Sequence, residues 1–174
     1  MDLAREGRPQ EPWTLYPGEY GIFDRTTRSQ FYYHGHPGAD HEAGHFHTVC
    51  LFPDHTAHLV AISMGADGWP RALFTVNLWA IGDVHYPPDL LKGYARRFRI
   101  DESQGDPRLV RFVNLVFEAY GPEIARLQDD KERALQAYRA ANDGRDPYED
   151  RSLEVLSEVS IDPRAGLDER FTAS

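Results

Sequence analysis

The chain of 174 residues has a single cysteine, Cys50. One thiol excludes a disulfide framework and any cysteine zinc cluster. No run approaches the ~18 consecutive apolar residues that a membrane-spanning helix needs. The start, Met1 to Glu11, is polar and lacks an apolar signal-peptide core, so a cytoplasmic protein is expected. Basic residues are also scarce: 19 against 28 acidic ones, a formal charge of −9. Phosphate affinity is carried by clustered Lys and Arg, so neither nucleic acid nor an anionic membrane is an expected partner. A Gly-rich phosphate loop, a Ser–His–Asp order and internal repeats are likewise missing. Histidine is absent beyond position 85.

All eight histidines fall between His34 and His85, and seven of them between His34 and His58. The first hundred residues carry 9 basic and 11 acidic side chains, the last 74 carry 10 and 17. Composition therefore separates a histidine-bearing, aromatic half from an acidic, helix-like half, with no linker between them. These read as two layers of one α+β domain: a loose arm at 1–15, then a single domain at 16–174 with a sheet half (16–82) and a helical half (87–160).

Tyr20–Asp24 and Gln30–His36 flank a polar turn and predict a hairpin. Gly44–Phe52 alternates as a strand. Ala57–Met64 and Ala72–Trp79 bracket Asp67-Gly68, a strong antiparallel hairpin signal. Four or five strands over about residues 20–79 would form an antiparallel meander. Past Pro87 the apolar period becomes 3.6: Leu90, Leu91, Tyr94, Ala95 and Phe98 form one stripe, and Leu109, Phe112, Val113, Val116, Phe117 and Tyr120 a second. Gly121-Pro122 breaks the second helix and starts a third, with Ile124, Leu127, Leu135 and Tyr138 inward. Leu153, Leu156 and Val159 suggest a short fourth. Three or four helices would pack on one sheet face.

In a strand, residues two apart share a face. His34 and His36 point together, as do His45 and His47, and Glu42 lies in the connection. If the strands pair, four imidazoles and a carboxylate converge. Imidazole is the commonest metal ligand near neutral pH, and such sets suit a divalent metal, iron or zinc. The expected ligands are His36, His45 and His47, with His34 or Glu42 completing the set. Glu42 could instead act as a general base, and Tyr32, in phase with His34, could donate a proton. Asn77 and Trp79, in phase with Thr75, would line a substrate pocket, with Phe74, Val76 and Leu78 facing the helices. His85 would cap the site. His55 and His58 read as structural, and Cys50 as a core residue. Arg96, Arg97 and Arg99 form a basic patch able to seat an anion.

His41-Glu-Ala-Gly-His45 also matches the HExxH motif, which on a helix sets two zinc ligands on one face with Glu as base. It resembles the HEAGH of the membrane-anchored AAA zinc proteases over those five residues. The chain has neither their membrane segment nor their ATPase loop, and it alternates as a strand from His45 onward.

Gly44-His-Phe-His47, Phe74-Thr-Val-Asn-Leu-Trp79 and Glu149-Asp-Arg-Ser-Leu-Glu-Val-Leu-Ser157 together resemble a bacterial family catalogued only as a domain of unknown function. The resemblance runs from about Tyr16 to Asp162. It implies a strand around His45 and His47 and supplies no reaction, cofactor or partner. The sequence thus points to a metal-dependent oxidoreductase or hydrolase acting on a small molecule, with a non-haem iron oxygenase first and a zinc hydrolase or protease second. The rival is a non-catalytic metal-binding or accessory protein, docking through its aromatic sheet face or acidic helices. A homo-oligomer or a protein partner fits either case.

Overall fold

The structure is a computed structural model that describes residues 2–9, 11, 14–35, 42–82 and 84–164. Its centre is a seven-stranded antiparallel sheet: β1 (Leu15–Tyr16), β2 (Ile22–Asp24), β3 (Ser29–Gly35), β4 (Gly44–Leu51), β5 (Thr56–Met64), β6 (Pro70–Val76) and β7 (Val155–Ser160). The order is β1-β3-β4-β5-β6-β7, and β2 pairs with β3 beside β1. A turn of helix, α1 (Asp2–Arg5), precedes the sheet, and Ala4 is fully buried in the core, so this part of the expected loose arm is attached.

The helices are α2 (Leu78–Ile81), α3 (Pro88–Ala95), α4 (Pro107–Ala119) and α5 (Gly121–Ala141). Asp106 caps α4 by accepting the Arg108 N–H at 2.9 Å, and a proline opens the helix just inside that cap. Its stripe Leu109, Val110, Val113, Val116 and Phe117 is buried. Tyr120 then breaks the backbone, and Pro122 restarts it as α5, as the Gly-Pro pair predicts.

The sheet has two unlike faces. Phe31, Tyr33, Phe46, Ile62 and Leu73 share one core with Leu91, Phe98, Leu109, Val113, Ile124 and Leu127 of the helical half. The opposite face carries the histidines and a small second cluster of Ala61, Phe74 and Val76 under Ile81.

Four expectations need correction. The sheet has seven strands, not four or five. The expected fourth helix is β7: pairing with β6 covers backbone that would otherwise form an open sheet edge. Strand β6 ends at Val76, and Asn77 caps α2, so Trp79 leaves the sheet. The two faces of β6 are also exchanged. Thr75 Oγ1 lies 2.6 Å from Ser157 Oγ, which itself donates to the Leu127 carbonyl on α5, while Phe74 lies against His45 on the other side.

Candidate metal centre

The site grows from the β3–β4 register. His34 pairs with His45 and Tyr32 with His47, so all four side chains stand on the face away from the helices. One ring nitrogen from each of His34, His45 and His47 lies within 4.8 Å of the others. His45 and His47 are buried and His34 is half-buried.

Beneath the three imidazoles lies a chain of hydrogen bonds. His45 Nδ1 sits 2.9 Å from Glu42 Oε1, and Ser63 Oγ donates to Glu42 Oε2 at 2.7 Å. An ionised carboxylate only accepts, so the proton in this bond sits on His45 Nδ1 and Nε2 faces His47. That Nε2 lies 2.9 Å from His47 Nε2, and His47 Nδ1 lies 3.1 Å from His58 Nε2. Burial, then the charges of Lys131 and His45, hold the His58 imidazole well below its ordinary pKa. A neutral His58 is able to accept at Nε2. Glu42 and His58 thus stand behind His45 and His47 as outer partners that fix tautomer and ring angle, the usual arrangement behind metal-ligating imidazoles.

His58 reaches this face through a β-bulge. Thr48 pairs with Val60 but Val49 pairs with His58, leaving Leu59 as the extra residue. Both Leu59 and Val60 pack into the helical core, and the phase upstream is reversed. Two buried side chains hold the bulge. Thr48 Oγ1 donates to the Val60 carbonyl at 2.6 Å and accepts the Val60 N–H at 3.3 Å. Gln128 Nε2 on α5 donates to the Leu59 carbonyl at 2.6 Å.

Of the expected site residues, the fold brings together His34, His45, His47, Glu42 and Tyr32, whose ring centroid is 5.1 Å from that of His47. His36 lies outside the described residues, as does His41. Residues 44–51 form a strand, so the helix that the HExxH reading requires is not there. Asn77 Nδ2 donates to the Pro147 and Leu153 carbonyls, and its Oδ1 caps α2. Trp79 Nε1 donates to the Leu153 carbonyl under the Arg151 guanidinium. His85 pairs with Glu132 and packs on Tyr148. These three serve contacts between α2, α5 and the 147–153 segment. Reasoning from sequence missed Ser63 and His58. Ser63 was within reach, because it alternates in phase with Ala61 opposite His47, whereas a bulge leaves no mark in residue type. The Arg96–Arg99 patch lies at the end of α3 by a groove with Phe117 and Pro122, within the helical layer.

No helix among the described residues is long and apolar enough to cross a membrane. Residues 2–161 match the model of the domain of unknown function DUF6969, and the chain belongs to that family. No curated protein and no solved structure matches it.

Proposed function

We propose that this DUF6969 member is a metal-dependent enzyme in which His34, His45 and His47 hold one divalent first-row ion. The observation that carries the reading is the convergence of three ring nitrogens within 4.8 Å, two of them on imidazoles with an outer hydrogen-bond partner. Three protein ligands leave coordination positions open for water or substrate. With metal–nitrogen bonds of ~2.1 Å, donors at tetrahedral angles lie ~3.4 Å apart and donors at right angles ~3.0 Å. The 2.9 Å between His45 Nε2 and His47 Nε2 is close to the right-angle separation of two donors on one ion, and iron and zinc both accept such imidazole sets. Both Glu42 oxygens are engaged, so Glu42 serves as the orienting carboxylate behind His45, and the set is three imidazoles rather than two and a carboxylate. Tyr32, half-buried beside His47, would serve as a proton donor. The chemistry supported is activation of dioxygen or water toward a small molecule.

A second reading rests on the same separation, which also suits an N–H···N hydrogen bond. Ser63, Glu42, His45, His47 and His58 would then form a metal-free polar relay. Elemental analysis of the purified protein separates the two. About one iron per chain, lost with retained circular dichroism in a His45→Ala/His47→Ala double variant, supports the metal centre. Metal-free protein that takes up neither Fe2+ nor Zn2+, with unchanged stability in chelator, refutes it.

A further inference from the structure

The histidine face continues beyond Tyr32 into a groove of about 720 Å³ lined by Tyr20, Phe23, Arg25, Arg28, Gln30 and Phe52, with Leu51 and Pro53. Strand register joins groove and site. Phe23 pairs with Gln30, Gln30 with Val49, Tyr32 with His47 and His34 with His45, so one alternating row runs from the groove to the imidazoles. Four residue steps of extended chain lead from Gln30 to His34, a span of about 13 Å.

The groove combines aromatic rings with two cations. None of its lining residues is acidic, although the protein carries a net charge of −9. Asp24, next in sequence to Arg25, turns away and accepts the backbone N–H groups of Thr26, Thr27 and Asp101. The Arg25 guanidinium lies 5.6 Å from the Phe23 ring centroid and the Arg28 guanidinium 5.1 Å from that of Phe52. Among the described residues neither guanidinium forms an ion pair, and the two differ from the similarly stacked Arg97, Arg139 and Arg151 in lining one groove together on the histidine face. Laid over ring faces, the two cations have part of their side-chain entropy already spent, and their planar forks suit a carboxylate or phosphate. Tyr20 is 65% exposed and Phe23 37%, rings that water does not favour leaving bare.

We propose that this groove holds the substrate of the histidine site and that the substrate is a small ring-bearing anion. Its carboxylate or phosphate sits between Arg25 and Arg28, its ring rests against Tyr20 and Phe23, and its far end passes Tyr32 to reach His34 and His47. The assignment of the occupant as substrate rests on the metal reading, whereas binding of the anion in the groove does not.

The test uses 3-phenylpropionate, its uncharged amide and phenyl phosphate as probes, titrated calorimetrically into the full chain. The substitutions are Arg25→Gln and Arg28→Asn, the latter because Arg28 has a positive φ of 58° that asparagine tolerates. The acid is expected to bind at least tenfold more tightly than the amide. The double variant should lose that preference while its metal uptake and melting temperature stay unchanged. Phenyl phosphate run alongside identifies the preferred head group. Mn2+ loaded at the histidines should then broaden the NMR signals of the bound probe. Equal binding of acid and amide, or a double variant that binds the acid as well as wild type, overturns the groove assignment. Bound manganese without broadening separates groove from site and overturns the substrate role. Failure to take up Mn2+ or Fe2+ overturns the metal reading alone, and the preference for acid over amide still decides the groove.

Discussion

Thr48→Val tests the device that delivers His58. Thr48 is fully buried, and its hydroxyl engages both the carbonyl and the N–H of Val60 at the bulge. Valine keeps the shape and removes both bonds. A buried group left without its partner costs about 1–3 kcal/mol, and the bond at 3.3 Å is the weaker of the two. The added methyl returns about 0.8 kcal/mol of apolar burial. The net loss should be about 1–3 kcal/mol, which for a chain of this size lowers the melting temperature by roughly 2–12 °C. Gln128→Met provides the contrast. It removes the bond to the Leu59 carbonyl, but it also removes Oε1, a buried acceptor with no hydrogen-bond partner among the described residues. Two terms of similar size and opposite sign leave a net change within about 1 kcal/mol. Urea titration of both variants reads the difference, and the His58 imidazole NMR signal should move in Thr48→Val. Loss of less than about 0.5 kcal/mol in Thr48→Val, with an unmoved His58 signal, would refute the clamp.

Three other outcomes are expected. Glu42→Ala should weaken metal binding about 10- to 100-fold in a competitive chelator titration, and unchanged affinity would deny Glu42 its orienting role. Gly44→Ala should destabilise the protein by at least about 1–3 kcal/mol and reduce metal uptake. The φ of Gly44 is +148°, and a Cβ there would collide with the His34 carbonyl oxygen and the Tyr33 ring. Asp24→Asn should cost about 1–3 kcal/mol at neutral pH. Burial alone would raise the pKa of Asp24, but hydrogen bonds from the Asp101, Thr26 and Thr27 backbone together outweigh it and bring the pKa below the usual value. A depressed carboxylate pKa stabilises above the unfolded value of about 3.9 and loses that contribution as pH falls through the folded value. The gap between wild type and Asp24→Asn should therefore close in acid; a gap that stays constant from pH 7 to pH 3 would contradict this assignment.

Where alternation or a helical stripe was long, the sequence could be read directly. The β4 run from Gly44 to Leu51 shows its two faces in plain order, and with β3 it announces His34, His45 and His47 as neighbours. The α4 and α5 stripes and the break between them were equally legible. What failed depended on contacts distant in the chain. Leu153, Leu156 and Val159 suit a helix locally, and the free edge of β6 decides for a strand. Trp79 follows six strand-like residues, yet the Asn77 side chain turns the backbone before it. His58 reads as structural from sequence, and alternation counted from Ala61 would point it to the helices. Only the extra residue at Leu59, held by Thr48 and Gln128, reverses that count. Glu42 was legible as a member of the site but not as an orienting residue, because its role depends on Ser63 one strand away.

The bulge also bears on how lengths of relatives should be compared. Deleting Leu59 would leave Val60 opposite Thr48 and His58 opposite Val49, which is ordinary ladder pairing with both faces intact. A one-residue gap at this position would thus keep every imidazole in place, at the cost of one core side chain. The same gap at Phe46 would throw His45 or His47 through the sheet into the helical core. An alignment of this family should therefore weigh an indel by its position along the strand, because the fold has room for an odd residue at Leu59 and none between His45 and His47.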